Sequence, residues 1–308
     1  MQYDLSVIIV NYNTSGLTSK CILSIIKYSR GINLEIIVID NASSDGFYEK
    51  ISLIKDKIKS LKILRNKHNI GFGKANNQGI KIARGKYVLF LNSDTNISDN
   101  LLSEMLYWMD RNLKVGMSTC ALKNPDGTLQ GTGGFFPTII RVFSWMTFLD
   151  DIPLMERLIK PFHPFHARSF FYKGESYYNK TIEFDWITGA FMLVRYEAIK
   201  QVDGFDEDYF MYTEDTDLCY RIKQRGWKIM YIPKWSITHY GGKSSRREFS
   251  LINEYHGIKI FYKKHMPSYQ MALLRIFLKL GAVLRMVVLT IIEGKEAFRI
   301  YAKAFQIA

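Results

Sequence analysis

Residues Lys86–Thr95 read KYVLFLNSDT, an apolar strand pattern that runs straight into Asn92-Ser93-Asp94. Three similar runs precede it: LSVIIV (Leu5–Val10), LEIIVID (Leu34–Asp40) and LKILR (Leu61–Arg65). All are short, β-branched and apolar, the pattern of strands buried on both faces of a parallel sheet. Helical stretches are predicted between them over 16–30, 47–60 and 73–84. In the first, Leu17, Cys21, Ile25 and Tyr28 recur at spacings of four, four and three. The series predicts an α/β fold, a Rossmann-like, mostly parallel sheet flanked by helices and joined by right-handed crossovers. Ligands of such sheets bind at the C-terminal ends of the strands. Those ends hold Asn11-Tyr12-Asn13, Asp40-Asn41, Arg65-Asn66 and Asn92-Ser93-Asp94.

Asp94 thus brings a carboxylate to the ligand-binding edge. Carboxylate and amide oxygens suit Mg²⁺ or Mn²⁺ bridging a diphosphate, although a strand-ending Asp is more often a turn former. A second acidic focus is YTEDTDLCYR (Tyr212–Arg221), with Glu214, Asp215 and Asp217 within four positions of a basic chain. Acids suit the first turn of a helix, and they also suit a metal, a proton or a sugar. Two look-alike motifs fail. GFGKANNQG lacks the third glycine of a dinucleotide fingerprint, where Asn76 stands, and GGKSS lacks the first glycine of a P-loop, where Ile237 stands.

The 308 residues carry a formal net charge of +13. No zinc-finger spacing, helix-turn-helix cue or RNP-like motif accompanies that charge, so nucleic acid is not the expected partner and anionic lipid is. From Lys259 onward nine Lys/Arg face two acids, Glu293 and Glu296. Cys21, Cys120 and Cys219 are widely spaced and read as reduced structural thiols of a cytosolic protein. The opening MQYDLSVIIVNYN runs into a strand without a basic leader, unlike a signal peptide.

Taken together and in order, SVIIVNYN, IVIDNASSDG, NIGFGKANNQGI, LFLNSDT, GFDEDYFMYTEDTDLCYRIKQRGW and HYGGKSS resemble the inverting glycosyltransferases of family 2, nearest to the rhamnosyltransferase-like branch. The resemblance covers about residues 4–245. It implies a GT-A fold, a nucleotide-sugar donor and a divalent metal, Mg²⁺ or Mn²⁺. By position, Asn92-Ser93-Asp94 matches the family's DxD element, with Asp94 as metal ligand and Asn92 in place of the first acid. His239 matches a histidine completing the metal shell. Asn11, Tyr12, Asn13 and Asp40 match the nucleoside pocket, and Gly71, Lys74 and Asn76 the segment lining base and diphosphate. Asp215 matches the catalytic base; Glu214 and Asp217 would bind acceptor hydroxyls, orient Asp215 or cap the helix.

The implied organisation is a transferase domain over 1–245, with a nucleotide-binding half (1–95) and an acceptor half (96–245) carrying an aromatic, basic insertion at about 131–185. A helical tail occupies 246–308. Within it, residues 271–292 are long enough to span a bilayer, but Arg275, Lys279 and Arg285 interrupt them within a roughly 120° sector. A helix lying in the interface with its bases toward headgroups is preferred over a span or a core-packing helix. The expected reaction moves a sugar, foremost rhamnose from dTDP-rhamnose, to a lipid-linked glycan at the inner face of the cell membrane. A UDP-sugar donor (GlcNAc, galactose or galactofuranose) is the alternative, and a non-catalytic glycan-binding protein a more distant one. An oligomer is compatible with all of these.

Overall fold

The computed structural model describes residues 2–165, 174–241 and 247–308, so Gly242–Ser245 of the HYGGKSS motif lie outside the described residues. The first half is built from β1 (Tyr3–Asn11), α1 (Ser15–Tyr28), β2 (Leu34–Asp40), α2 (Phe47–Ser52), β3 (Leu61–Arg65), α3 (Phe72–Ile82) and β4 (Gly85–Leu91). The helix expected over 47–60 breaks into α2 and a 3₁₀ turn at Lys55–Lys57. Phe47, Ile51 and Ile54 are buried there and Ile58 is only partly so, which is too short a buried face to hold a longer helix down.

The second half continues with β5 (Thr95–Asn96), α4 (Leu101–Arg111) and β6 (Val115–Lys123). Through the insertion run β7 (Gly133–Gly134), α5 (Ile139–Met146), α6 (Met155–Leu158) and β8 (Ile182–Glu183). Then come β9 (Trp186–Ile187), β10 (Phe191–Arg195), α7 (Tyr196–Lys200), α8 (Glu214–Gln224) and β11 (Lys228–His239). The chain closes with α9 (Arg247–His265), α10 (Gln270–Glu293) and α11 (Lys295–Ile307).

The main sheet runs β3-β2-β1-β4-β10-β6-β11-β5, with β8 on β11. Its first four strands are parallel, as their sequence predicts. Beyond β4 the sheet is mixed, because β10 returns antiparallel between β4 and β6. Alternate side chains of each strand enter cores on opposite faces. Val7, Ile9, Val38 and Leu89 pack with α1 and α4 on one side. Ile8, Ile37, Val88 and Phe90 share the other core with Leu218 of α8, Tyr255 and Phe261 of α9, and Leu274 and Leu278 of α10. The three C-terminal helices are therefore part of the same core as this face of the sheet.

The insertion contributes aromatic side chains to that core, among them Phe162, Tyr178 and Phe184. His163 lies against the rings of Trp145, Phe162 and Trp186 and pairs with Glu254 of α9 at 2.9 Å. One expectation for α10 is corrected. Arg285 is buried, not directed to headgroups: its guanidinium donates to the Met146 and Trp145 carbonyls at 2.8 and 2.6 Å. Those carbonyls end α5, where a cation is favoured by the helix dipole. Among the described residues no helix is long and apolar enough to cross a membrane. The three cysteines are free and buried, and burial pushes the Cys21 thiol up to about 12.

Candidate active site

The order β3-β2-β1-β4 places the topological switch between β1 and β4, and the crevice beyond their C-terminal ends is where an open α/β sheet binds ligands. Register sets Asn11 opposite Asp40. The Asn11 amide donates to Asp40 Oδ1 at 3.1 Å and to Ser43 Oγ at 2.8 Å, while its oxygen accepts from Thr18 at 2.6 Å. Asp40 Oδ2 is buried without a hydrogen-bond partner, a spare acceptor beside Asn11. Asn13 adopts a left-handed conformation (φ 53°) and its side-chain oxygen accepts from the Ser44 amide at 2.8 Å.

Next to this cluster lies a cavity of about 510 Å³ whose walls include Tyr12, Asn41, Gly71, Ser93, Asp94 and Phe210; Asn11, Asn13 and Asp40 adjoin lining residues in sequence but do not line it themselves. Gly71 has no substitute. Its φ is +89°, and a Cβ there would stand 2.4 Å from the Phe210 carbonyl oxygen. Lys74 and Asn76 line neither this cavity nor its neighbour. Asn76 is buried in α3 and donates to the Phe72 carbonyl at 3.0 Å, and both residues lie about one helical turn further into α3 than the Gly71–Phe72 edge. Asn41 has the role the sequence reading missed. Its side chain donates to Asn69 at 2.7 Å and accepts from the Ile70 amide, holding the loop before Gly71. Its strand-end position was the available signal.

Pairing of β5 with β11 sets His239 opposite Thr95, and so beside Asp94. His239 Nε2 lies 3.3 Å from Asp94 Oδ1 and 3.4 Å from the Asn92 amide nitrogen. Gln130 fixes the ring. Its amide nitrogen donates to Asn124 Oδ1 and the His239 carbonyl at 2.6 and 2.8 Å, which leaves its oxygen to accept from His239 Nδ1 at 2.7 Å. Nε2, the ring nitrogen turned toward Asp94, is the one free to bind a metal, and the Nδ1 bond to Gln130 is the supporting hydrogen bond of such a ligand. Two cis ligands of an octahedral Mg²⁺ or Mn²⁺ at about 2.1 Å stand about 3 Å apart, so the observed spacing fits such an ion. Among the described residues no group of three or more His, Cys, Asp or Glu side chains gathers to hold a metal. The pair would thus need oxygens from a ligand or water to complete a shell. Nothing in the sequence around Gln130 marked it.

A second cavity of about 470 Å³ adjoins the first, sharing Phe72, Asn92, Asp94 and Met211 with it and adding His239, Glu214 and Asp215. The two acids begin α8, after Tyr212 and Thr213, which both have positive φ (68° and 70°). Each such non-glycine residue costs about 1–2 kcal/mol. Asp215 Oδ2 accepts from the Gly189 amide at 3.1 Å and Oδ1 from the Thr216 amide at 2.7 Å. Burial raises its pKa and these donors oppose the rise. Glu214 is buried, and Oε2 has no hydrogen-bond partner. Burial, and then the charge of Asp215, push its pKa well above the ordinary carboxylate range. The environment therefore separates the acids: Asp215 is the one equipped to carry the charge.

Asp217 is different. It is fully buried, lines neither cavity, and accepts from Arg221 Nε at 2.7 Å and His265 Nε2 at 2.6 Å. Of the roles the sequence left open to it (binding acceptor hydroxyls, orienting Asp215 or capping the helix), the first does not fit this position: the helical turn carries Asp217 to the side away from Asp215, where it ties α8 to α9.

The chain is similar to known proteins in sequence and in fold. The chain is 26% identical over 226 residues to an N-acetylglucosaminyl-diphospho-decaprenol L-rhamnosyltransferase of Mycobacterium tuberculosis, covering 70% of this chain and 69% of that one. It is 29% identical over 193 residues to rhamnosyltransferase WbbL of Escherichia coli, covering 60% and 67%. Its fold is shared with the mannosyltransferase PcManGT of Pyrobaculum calidifontis, solved with GDP-Man and Mn²⁺ (TM-score 0.59, 15% identity, 100% and 81% covered). It is shared too with TarS of S. aureus solved with UDP-GlcNAc (TM-score 0.59, 18% identity, 98% and 79% covered). The fold is thus the GT-A fold. The Glycosyl transferase family 2 model matches residues 6–201, and the chain is a glycosyltransferase belonging to that family.

Proposed function

We propose that the protein transfers rhamnose from dTDP-rhamnose, with inversion, to a lipid-linked glycan in cell-surface polysaccharide synthesis. One observation supports this most: two adjoining cavities share the wall that carries Asn92 and Asp94, and the second is lined by His239, which stands beside Asp94, and by Asp215. The nucleotide sits in the first cavity, against Tyr12, Asn41 and Gly71, and the acceptor enters the second. Inversion requires one in-line displacement. Asp215 takes the proton of the acceptor hydroxyl, that oxygen bonds the anomeric carbon from the opposite face, and the bond to the diphosphate breaks. A divalent ion held by Asp94 and His239 would supply positive charge against the departing diphosphate. The relatives named rhamnosyltransferases favour the sugar, and the decaprenol-diphosphate acceptor in one name favours a lipid-linked partner.

The test is a panel of nucleotide-sugars offered with Mn²⁺ and a polyprenyl-diphosphate GlcNAc acceptor. Transfer from dTDP-rhamnose, with the anomeric configuration of the product inverted by NMR, is the expected result. Transfer from a UDP-sugar alone would overturn the donor assignment, and retention would overturn the mechanism.

A lipid-linked acceptor places the enzyme at the inner face of the membrane, and α10 offers a contact surface. Leu273, Ile276, Leu280, Val283, Val287 and Ile291 are exposed along it at spacings of three and four, with exposed Arg275 and Lys279 alongside. This face opposes the one that packs on the protein through Leu274, Leu278 and Ala282. An in-plane helix gains apolar burial plus about 1 kcal/mol per base near an anionic surface. Binding to phosphatidylglycerol vesicles is expected, weakened but not abolished by high salt. Ile276→Glu with Val287→Glu should release the protein in co-sedimentation; binding equal to wild type would remove α10 as the contact.

A further inference from the structure

The two left-handed residues that precede the catalytic acids are held by a helix far along the chain. α9 runs beside the segment 206–217 and touches it along its length. Near its start, Ser250 Oγ and Tyr212 Oη are 2.6 Å apart. At its middle, Gly257 packs on Thr213 so closely that a Cβ would lie 2.4 Å from Thr213 Oγ1 and 2.9 Å from the Tyr212 carbonyl oxygen. At its end, His265 bonds the buried carboxylate of Asp217 at 2.6 Å, one turn into α8 from Thr213, whose carbonyl accepts from the Asp217 amide at 2.9 Å. The adjacent Lys264 pairs with Asp206 and Asp208 in the approach to the same loop.

We propose that Gly257 and His265 are positioning residues, and that α9 is a strut holding the Tyr212–Thr213 pair and so aiming Asp215 into the second cavity. The kinetic half of the proposal rests on Asp215 being the base; the structural half does not. Left-handed non-glycine residues persist only where their surroundings over-determine them, and here those surroundings are α9. Neither Gly257 nor His265 lines a cavity, so neither touches substrate.

Two substitutions separate a strut from ordinary packing. His265→Leu removes the bond to Asp217, while His265→Gln can still donate to it. Gly257→Ala drives a methyl into Thr213, and adding Thr213→Gly removes the two nearest obstructing atoms and the preference against positive φ, leaving only the Tyr212 carbonyl oxygen at 2.9 Å to give way. Amide hydrogen exchange needs no substrate. The amides of 212–217 should exchange faster in His265→Leu and in Gly257→Ala, those of β1 and β4 should be unchanged, and His265→Gln and the Gly257→Ala/Thr213→Gly pair should restore most of the protection. Wild-type exchange over 212–217 in both single variants would overturn the strut. In the transfer assay, kcat should fall by about 10²-fold in the two single variants, the cost of a misplacement near 1 Å, with donor KM unchanged. Altered exchange with unchanged kcat would overturn the link to Asp215. Absence of transfer by wild type with every donor would instead count against the proposed function, leaving the exchange result to decide the strut.

Discussion

Asp215→Asn is expected to lower turnover by about 10²–10⁴-fold while nucleotide-sugar affinity is retained. The amide keeps the size of the carboxylate, but its single oxygen can accept from only one of the Gly189 and Thr216 amides, so the proton acceptor and one supporting hydrogen bond are lost. Glu214→Gln is the contrast, because Glu214 is the acid whose environment favours a bound proton. Its turnover should stay far above that of Asp215→Asn. Titration adds a signed expectation. Burial raises the pKa of Asp215, so kcat should fall with decreasing pH along a limb above the ordinary Asp value of about 3.9. Glu214 acts on stability: with its folded pKa raised, the native state binds more protons than the unfolded one above pH of about 4.3, so stability declines as pH rises toward the folded pKa. Glu214→Gln should flatten that decline in a thermal-denaturation series. Near wild-type transfer by Asp215→Asn, with Glu214→Gln inactive, would reverse the two roles.

Asp94→Ala is expected to abolish Mn²⁺-dependent binding of a nucleoside diphosphate, and His239→Ala to weaken it. Asp94 provides the charged ligand of the pair, and the Asn92 and Ser93 side chains beside it offer only neutral oxygens. Gln130→Leu should lower metal affinity by about 10–100-fold through the ring orientation of His239 alone, as loss of a supporting hydrogen bond commonly does. Calorimetry with dTDP in the presence and absence of Mn²⁺ reads all three. Unchanged metal-dependent affinity in Asp94→Ala would remove the metal site from this wall.

The parallel half of the fold was legible because its strands are short apolar runs that end in polar residues, and Asn11, Asp40 and Asp94 stand at those ends for the same reason. What was not legible depends on contacts between distant segments. Asp217 and Asp215 are two residues apart, and only the direction of α8 shows that one faces the second cavity and the other faces His265. Arg285 reads on a helical wheel like Arg275 and Lys279, but the end of α5, about 140 residues earlier, claims it. Gln130 carries no motif; its role exists only once β11 brings His239 beside it. The resemblance covered the positions of the acids without revealing which of them share a wall.

The sheet order has a consequence for synthesis. β4 is complete at Leu91, but the strand that covers its outer edge, β10, begins at Phe191, about 100 residues later. At ribosomal speeds of about 5–20 residues per second, the β1–β4 unit stands with that edge unpaired for roughly 5–20 s. An open, apolar strand edge is a template for association with another chain. Nascent enzyme is thus vulnerable in this interval, and chains ended between Leu91 and Phe191 keep the same edge uncovered and should aggregate.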